Sequence, residues 1–156
     1  HVLFRRQRQM CIRDSIPSSE IPEVSSDDGT AWAKVIAGRA LGVSAIIDTV
    51  IPITFIHLKL KPGASYTHPC EMDHNIMLYV FGGSLKVEGR SLPDGGLGLL
   101  SPGDSVSINA GKNGAELLIL GGPELGEPIA RYGPFVMNTR QEIHQAIEDY
   151  NNGTLA

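Results

Sequence analysis

Four residues in a span of seven carry side chains that can bind a metal: His68, Cys70, Glu71 and His74. Imidazole, thiolate and carboxylate together suit borderline divalent ions, and Pro69 stiffens the stretch that presents them. A protein metal centre needs three or four such groups converging on one point, held by further hydrogen bonds. Residues 102–109 (Pro-Gly-Asp-Ser-Val-Ser-Ile-Asn) contain no histidine. The expectation is therefore a polar loop without metal, in which His74 bonds backbone groups at the start of a strand. The alternative is a non-standard centre built from all four residues in loop 68–74. His57 and His144 are expected on the surface. Ser44, Ser65 and Ser107 lack the Gly-x-Ser-x-Gly context of a nucleophile, and no phosphate-binding loop is present.

Strands must position these groups. With 18 glycines and 10 prolines in 156 residues, the chain suits short strands joined by tight turns. Strand-like runs fall at 31–37, 54–61, 75–81, 84–88, 97–100, 104–109, 115–120 and 128–132. The second alternates, with Ile56, Leu58 and Leu60 on one face and Phe55, His57, Lys59 and Lys61 on the other. Residues 76–81, Ile-Met-Leu-Tyr-Val-Phe, are apolar on both faces, so something must cover each of them. Turn residues cluster at 61–63, 82–83, 93–96, 101–104 and 121–123, the spacing of a small barrel or double-sheet jelly roll.

One helix is expected near the end, over 139–150. Thr139 is a good N-cap and Glu142, three residues on, completes a capping box. Ile143, Ala146, Ile147 and Tyr150 form an apolar stripe, and Gly153 is placed to stop the helix.

The length suits one core, and no window approaches eighteen consecutive apolar residues. Net charge is -4, with Arg5, Arg6, Arg8 and Arg13 ahead of an acidic remainder. Such a surface does not attract nucleic acid through its phosphates. Cys11 and Cys70 cannot make a disulfide framework, which points to a reduced, cytoplasmic setting. Residues 1–15 lack strand or helix periodicity and read as a non-native prefix. Residues 16–29, rich in Ser, Pro and acidic residues, read as a linker.

The run Arg131-Tyr132-Gly133-Pro134-Phe135-Val136-Met137-Asn138-Thr139-Arg140-Gln141-Glu142-Ile143 resembles the C-terminal signature of the pirin family. Val35-Ile36-Ala37-Gly38, Leu60-Lys61-Pro62-Gly63-Ala64, His74-Asn75 and Gly121-Gly122-Pro123 extend the likeness over residues 16–152. The resemblance implies an all-β, cupin-type barrel, or double-stranded β-helix, with a short C-terminal helix. It further implies that residues 30–156 are a C-terminal cupin domain whose N-terminal partner carries the iron, through three His and one Glu. This half would then be a metal-free scaffold and packing partner, without cofactor or catalytic residues. Full-length members are implied to open quercetin with oxygen at the metal, and some to bind transcription regulators. Ile76, Leu78, Val80, Tyr132, Phe135 and Met137 are the expected inter-domain interface. The competing readings are a small stand-alone cupin enzyme using loop 68–74, and a metal-free small-molecule sensor with an apolar pocket.

Overall fold

Residues 15–155 are described by the computed structural model. They fall into two compact units, Ile16–Glu124 and the segment from Leu125 onward.

Ten strands make up the first unit: β1 (Glu23–Ser25), β2 (Ala31–Ala37), β3 (Arg39–Ala40), β4 (Val43–Ser44), β5 (Thr54–Leu60), β6 (Ser65–Pro69), β7 (His74–Val87), β8 (Arg90–Pro93), β9 (Leu97–Leu99) and β10 (Ser105–Pro123). Eight of them form one antiparallel sheet in the order β1-β2-β5-β10-β7-β8, with β6 also on β10 and β9 also on β7. β3 and β4 form a separate hairpin about Leu41-Gly42, both with left-handed φ (47° and 79°), as a two-residue hairpin turn requires.

The two long strands organise the unit. The first part of β10 pairs with β6 and with the end of β7, whereas its last nine residues pair with β5 and the start of β7. Two separate strands were expected in each place, divided at Gly82-Gly83 and within 110–114. The structure bends single strands there instead, with register shifts between Ala110 and Ala115 and between Glu116 and Leu117. Bulges of this kind turn a strand without ending it. Glycine makes the bend possible: Gly83 has φ +73°, and a Cβ there would run into the Gly114 carbonyl. Gly114 has φ +82°, and its Cβ would sit 2.7 Å from the Leu60 carbonyl oxygen.

The bend brings two strand sets over one core. Ile56, Leu58, Leu78, Leu117 and Ile119 from one set pack with Leu85, Val106, Ile108 and Tyr66 from the other. β2 alternates through Ala31, Ala33, Val35 and Ala37, all buried, as the period of two demands. Five strands of this unit, β1, β3, β4, β6 and β8, went unread in the sequence. β1 lies within residues expected to be linker, yet pairs Val24 with Ala33. β6 carries His68, in a stretch expected to be loop.

The second unit is a small hairpin and helix: β11 (Ala130–Tyr132), β12 (Phe135–Met137) and α1 (Arg140–Asn151). The expected strand 128–132 is present as the shorter β11. The capping box forms: the Glu142 N–H donates to Thr139 Oγ1 at 3.2 Å and the Thr139 N–H donates to Glu142 Oε2 at 2.9 Å. Phe135, Ile143 and Ala146 make its core, with Ala130, Met137, Ile147 and Leu155 against them. Residues 1–14, including Cys11 and the basic prefix, lie outside the described residues. Strand dominates, α1 is the one α-helix among the described residues, and no helix there is long and apolar enough to cross a membrane.

Candidate functional site

The four metal-capable residues occupy different environments. His68 faces inward from β6 and is 2% exposed, opposite Val106 of β10. Alternation along Ser65-Tyr66-Thr67-His68 puts Tyr66 on the same buried face, and its hydroxyl lies 3.2 Å from His68 Nδ1. Burial holds the imidazole pKa below the ordinary histidine range, so His68 is neutral near pH 7. Burial raises the Cys70 thiol, and the nearby Asp104 adds to the shift. A thiol kept protonated is a poor ligand, because metals bind the thiolate. Glu71 points to solvent. His74 is buried at the start of β7, where its backbone N–H donates to the Glu71 carbonyl at 3.0 Å. Among the described residues no three His, Cys, Asp or Glu side chains converge as a metal would need. The residues present do not fit the iron of a cupin centre.

The interface candidates divide, and four of the six are buried within the chain. Ile76, Leu78 and Val80 are 5%, 0% and 0% exposed, and they fill the core of the first unit. They cannot meet a partner. Strand alternation had two solutions for 76–81, and the core takes the even-numbered set. Phe135 is likewise buried, pinning α1 with Ile143, and Met137 packs partly against the same small core. Tyr132 is exposed.

The opposite face of β7 is the open one. Its register links a row across five strands, Lys34, His57, Leu118, Tyr79 and Leu97. A second row runs Phe55, Leu120, Met77 and Leu99. Tyr79 and Phe81 are about two-fifths exposed, Leu97 is 61% exposed and Leu99 72%. Apolar side chains thus line the solvent side of the sheet over β5, β10, β7 and β9.

A charged cluster sits on this face. His57 Nε2 is 2.8 Å from Glu116 Oε1, and Lys59 Nζ is 3.0 Å from the same oxygen. The Trp32 ring meets His57 edge-on at 5.2 Å and lies under the Lys59 ammonium at 5.4 Å, while Phe81 leans on His57 at 5.3 Å. Partial burial pushes the Glu116 carboxyl up, but hydrogen bonds from Lys59 and His57 outweigh it and hold the group below its ordinary range. His57, expected on the surface, lies on the outward face of the sheet but is paired and half-buried there. No spacing in the chain signals this, because Trp32, His57 and Glu116 meet only through strand register. His144 is exposed on α1, as expected.

Residues 55–156 match the family described as the Pirin C-terminal cupin domain. Human pirin is 33% identical over 142 residues, which is 88% of this chain and 48% of that protein. A pirin-like protein of Solanum lycopersicum is 31% identical over 93% of this chain and 49% of its own length. Among solved structures, a quercetin 2,3-dioxygenase from Acinetobacter baumannii superposes with a TM-score of 0.77 at 32% identity, over 92% of this chain and 50% of that one. The chain spans about half the length of the curated relatives it matches. An all-β cupin core with a capped C-terminal helix, and a family match that covers more than half of its residues, make this chain a member of the pirin family.

Proposed function

We propose that this chain is the non-catalytic, metal-free half of a two-cupin protein, a scaffold on which an N-terminal, iron-binding cupin half packs. The open apolar face of β5, β10, β7 and β9 carries this reading. A sheet face bearing Phe55, Met77, Tyr79, Phe81, Leu97 and Leu99 is costly to leave in water. The relatives are about twice as long as this chain, so a partner half of the same protein is the natural occupant. The His57, Lys59 and Glu116 cluster then lies at the edge of the contact and fixes its register.

On this reading, flavonol ring-opening of the quercetin 2,3-dioxygenase type belongs to the absent half. So does any site for a transcription regulator that depends on the metal. A cytoplasmic location goes with the reading, since Cys70 is a free thiol.

The test is to purify the chain with and without a co-expressed N-terminal half of human pirin. The expected result is co-purification, with iron in the partner only and no flavonol turnover by this chain alone. One iron, zinc, copper, manganese or nickel ion per copy of this chain, or turnover of a flavonol by it, overturns the proposal.

A further inference from the structure

Residues 45–53 join β4 to β5 without strand or helix. The segment reads Ala-Ile-Ile-Asp-Thr-Val-Ile-Pro-Ile, with Asp48 as its one charged residue. Ala45 packs against the core. Beyond it, Ile46 is 54% exposed, Val50 66%, and Ile47, Ile51 and Ile53 between 37% and 39%. Branched apolar side chains crowded into one stretch and left in water mark a contact surface.

The segment is continuous with the open sheet face. Gly122 follows Gly121, which faces inward against Ile76, so alternation along β10 puts Gly122 on the outward side with Leu120. A Cβ built on Gly122 would meet Ile53 Cγ2 at 3.4 Å. Ile53 therefore lies on the outward side, two residues ahead of Phe55. A cavity of about 390 Å³, lined by Ile46, Ile47, Pro52 and Ile53 together with Gly38 and Ser44, adds a recess. Such a recess suits an apolar anchor from a partner.

The path of the chain says what arrives there. Residues 17–22 lead into β1 alongside β2: the Val35 N–H donates to the Pro22 carbonyl at 2.9 Å, and the Lys34 ammonium donates to Ser18 Oγ. Lys34 belongs to the open-face row, opposite His57. β1 and β2 are antiparallel, so residues ahead of β1 lie toward the far end of β2. There the Gly38 carbonyl accepts from the Ala45 N–H at 2.9 Å. A half joined ahead of Ile16 thus enters on the open side of the sheet, at the end where residues 45–53 stand.

We propose that residues 46–53 form an arm that grips the N-terminal cupin half of the same protein, with Ile46, Val50 and Ile53 against an apolar surface of that half. This rests on the scaffold reading and adds to it a second contact, outside the strands. With a single charge in the arm, its part of the contact responds little to salt.

The complex of the full chain with a co-expressed N-terminal half of human pirin tests it, with dissociation followed on dilution. Three chains are compared: unaltered, Val50→Asp and Leu97→Ala. Val50→Asp drives a carboxylate into the apolar contact from an exposed position, so it should weaken association about tenfold or more. Its urea midpoint should stay that of the unaltered chain. In hydrogen exchange, the amides of Ile46 to Ile51 should gain protection in the complex. Unaltered association in Val50→Asp beside weakened association in Leu97→Ala would remove the arm and leave the scaffold reading standing. Weakening in Val50→Asp alone would keep the arm and move the sheet contact elsewhere. No complex with the unaltered chain would overturn both. Self-association of this chain that Val50→Asp abolishes would give the arm to a second copy and overturn the proposal.

Discussion

Leu78 and Leu97 offer one chemical change on two faces of one sheet. They lie on neighbouring strands, and Leu97 pairs with Tyr79, the residue after Leu78. Leu78 is 0% exposed, so Leu78→Ala leaves a cavity in the core of the first unit and should cost about 2–5 kcal/mol. Leu97 is 61% exposed. Full burial of a leucine is worth roughly 1.5–3 kcal/mol, so with a middle value of about 2.3 the chain alone draws only ~0.9 kcal/mol from Leu97. The other ~1.4 kcal/mol becomes available when a partner covers the face, and corresponds to about tenfold in affinity. Urea unfolding followed by circular dichroism measures the first quantity, provided the denaturant slope is unchanged. Titration with the N-terminal pirin half measures the second. Leu97→Ala should lower stability by less than about 1 kcal/mol and weaken association about tenfold, with Leu78→Ala doing the reverse in emphasis. Equal losses of stability in the two variants would mean that the face is already covered within the chain. Unchanged association in Leu97→Ala would show that the partner docks elsewhere, and the interface assignment would fall.

Three further outcomes follow from the geometry. His68 is held neutral by burial, so below about pH 6.5 the unfolded chain takes up a proton that the folded chain refuses. Stability should therefore fall as pH drops from 7 to 5, and His68→Phe should flatten that part of the profile, read by urea midpoints at each pH. Thr139→Ala removes the N-cap acceptor of α1 and should lower protection of its amides by about 1 kcal/mol in hydrogen exchange, while the amides of β5 and β10 are untouched. Gly83→Ala forces a side chain into left-handed backbone against the Gly114 carbonyl and should cost at least about 2 kcal/mol in the same urea assay. A near-neutral Gly83→Ala would mean that the bend of β7 relaxes freely.

Local rules explain which parts of this structure were readable. The capping box of α1 appears as expected because Thr139 and Glu142 need only their own backbone to bond. β5 reads correctly because polar residues sit on one face and apolar on the other. β7 defeats the same argument: with both faces apolar, periodicity cannot say whether Leu78 or Tyr79 turns inward. The interface candidates Ile76, Leu78 and Val80 fell on the wrong side for that reason. β6 was unread because a five-residue strand has little periodicity of its own. Its residues gain their partners from β10, some forty positions away.

By itself the chain determined the class of fold, the position and capping of its helix, and its family. Each follows from residue type or short spacing, which no packing can alter. Tertiary structure alone decided where His68 and His57 sit and which face of β7 stays open. Those depend on strand register between distant segments, and a shift of one residue would exchange every inward side chain for its neighbour.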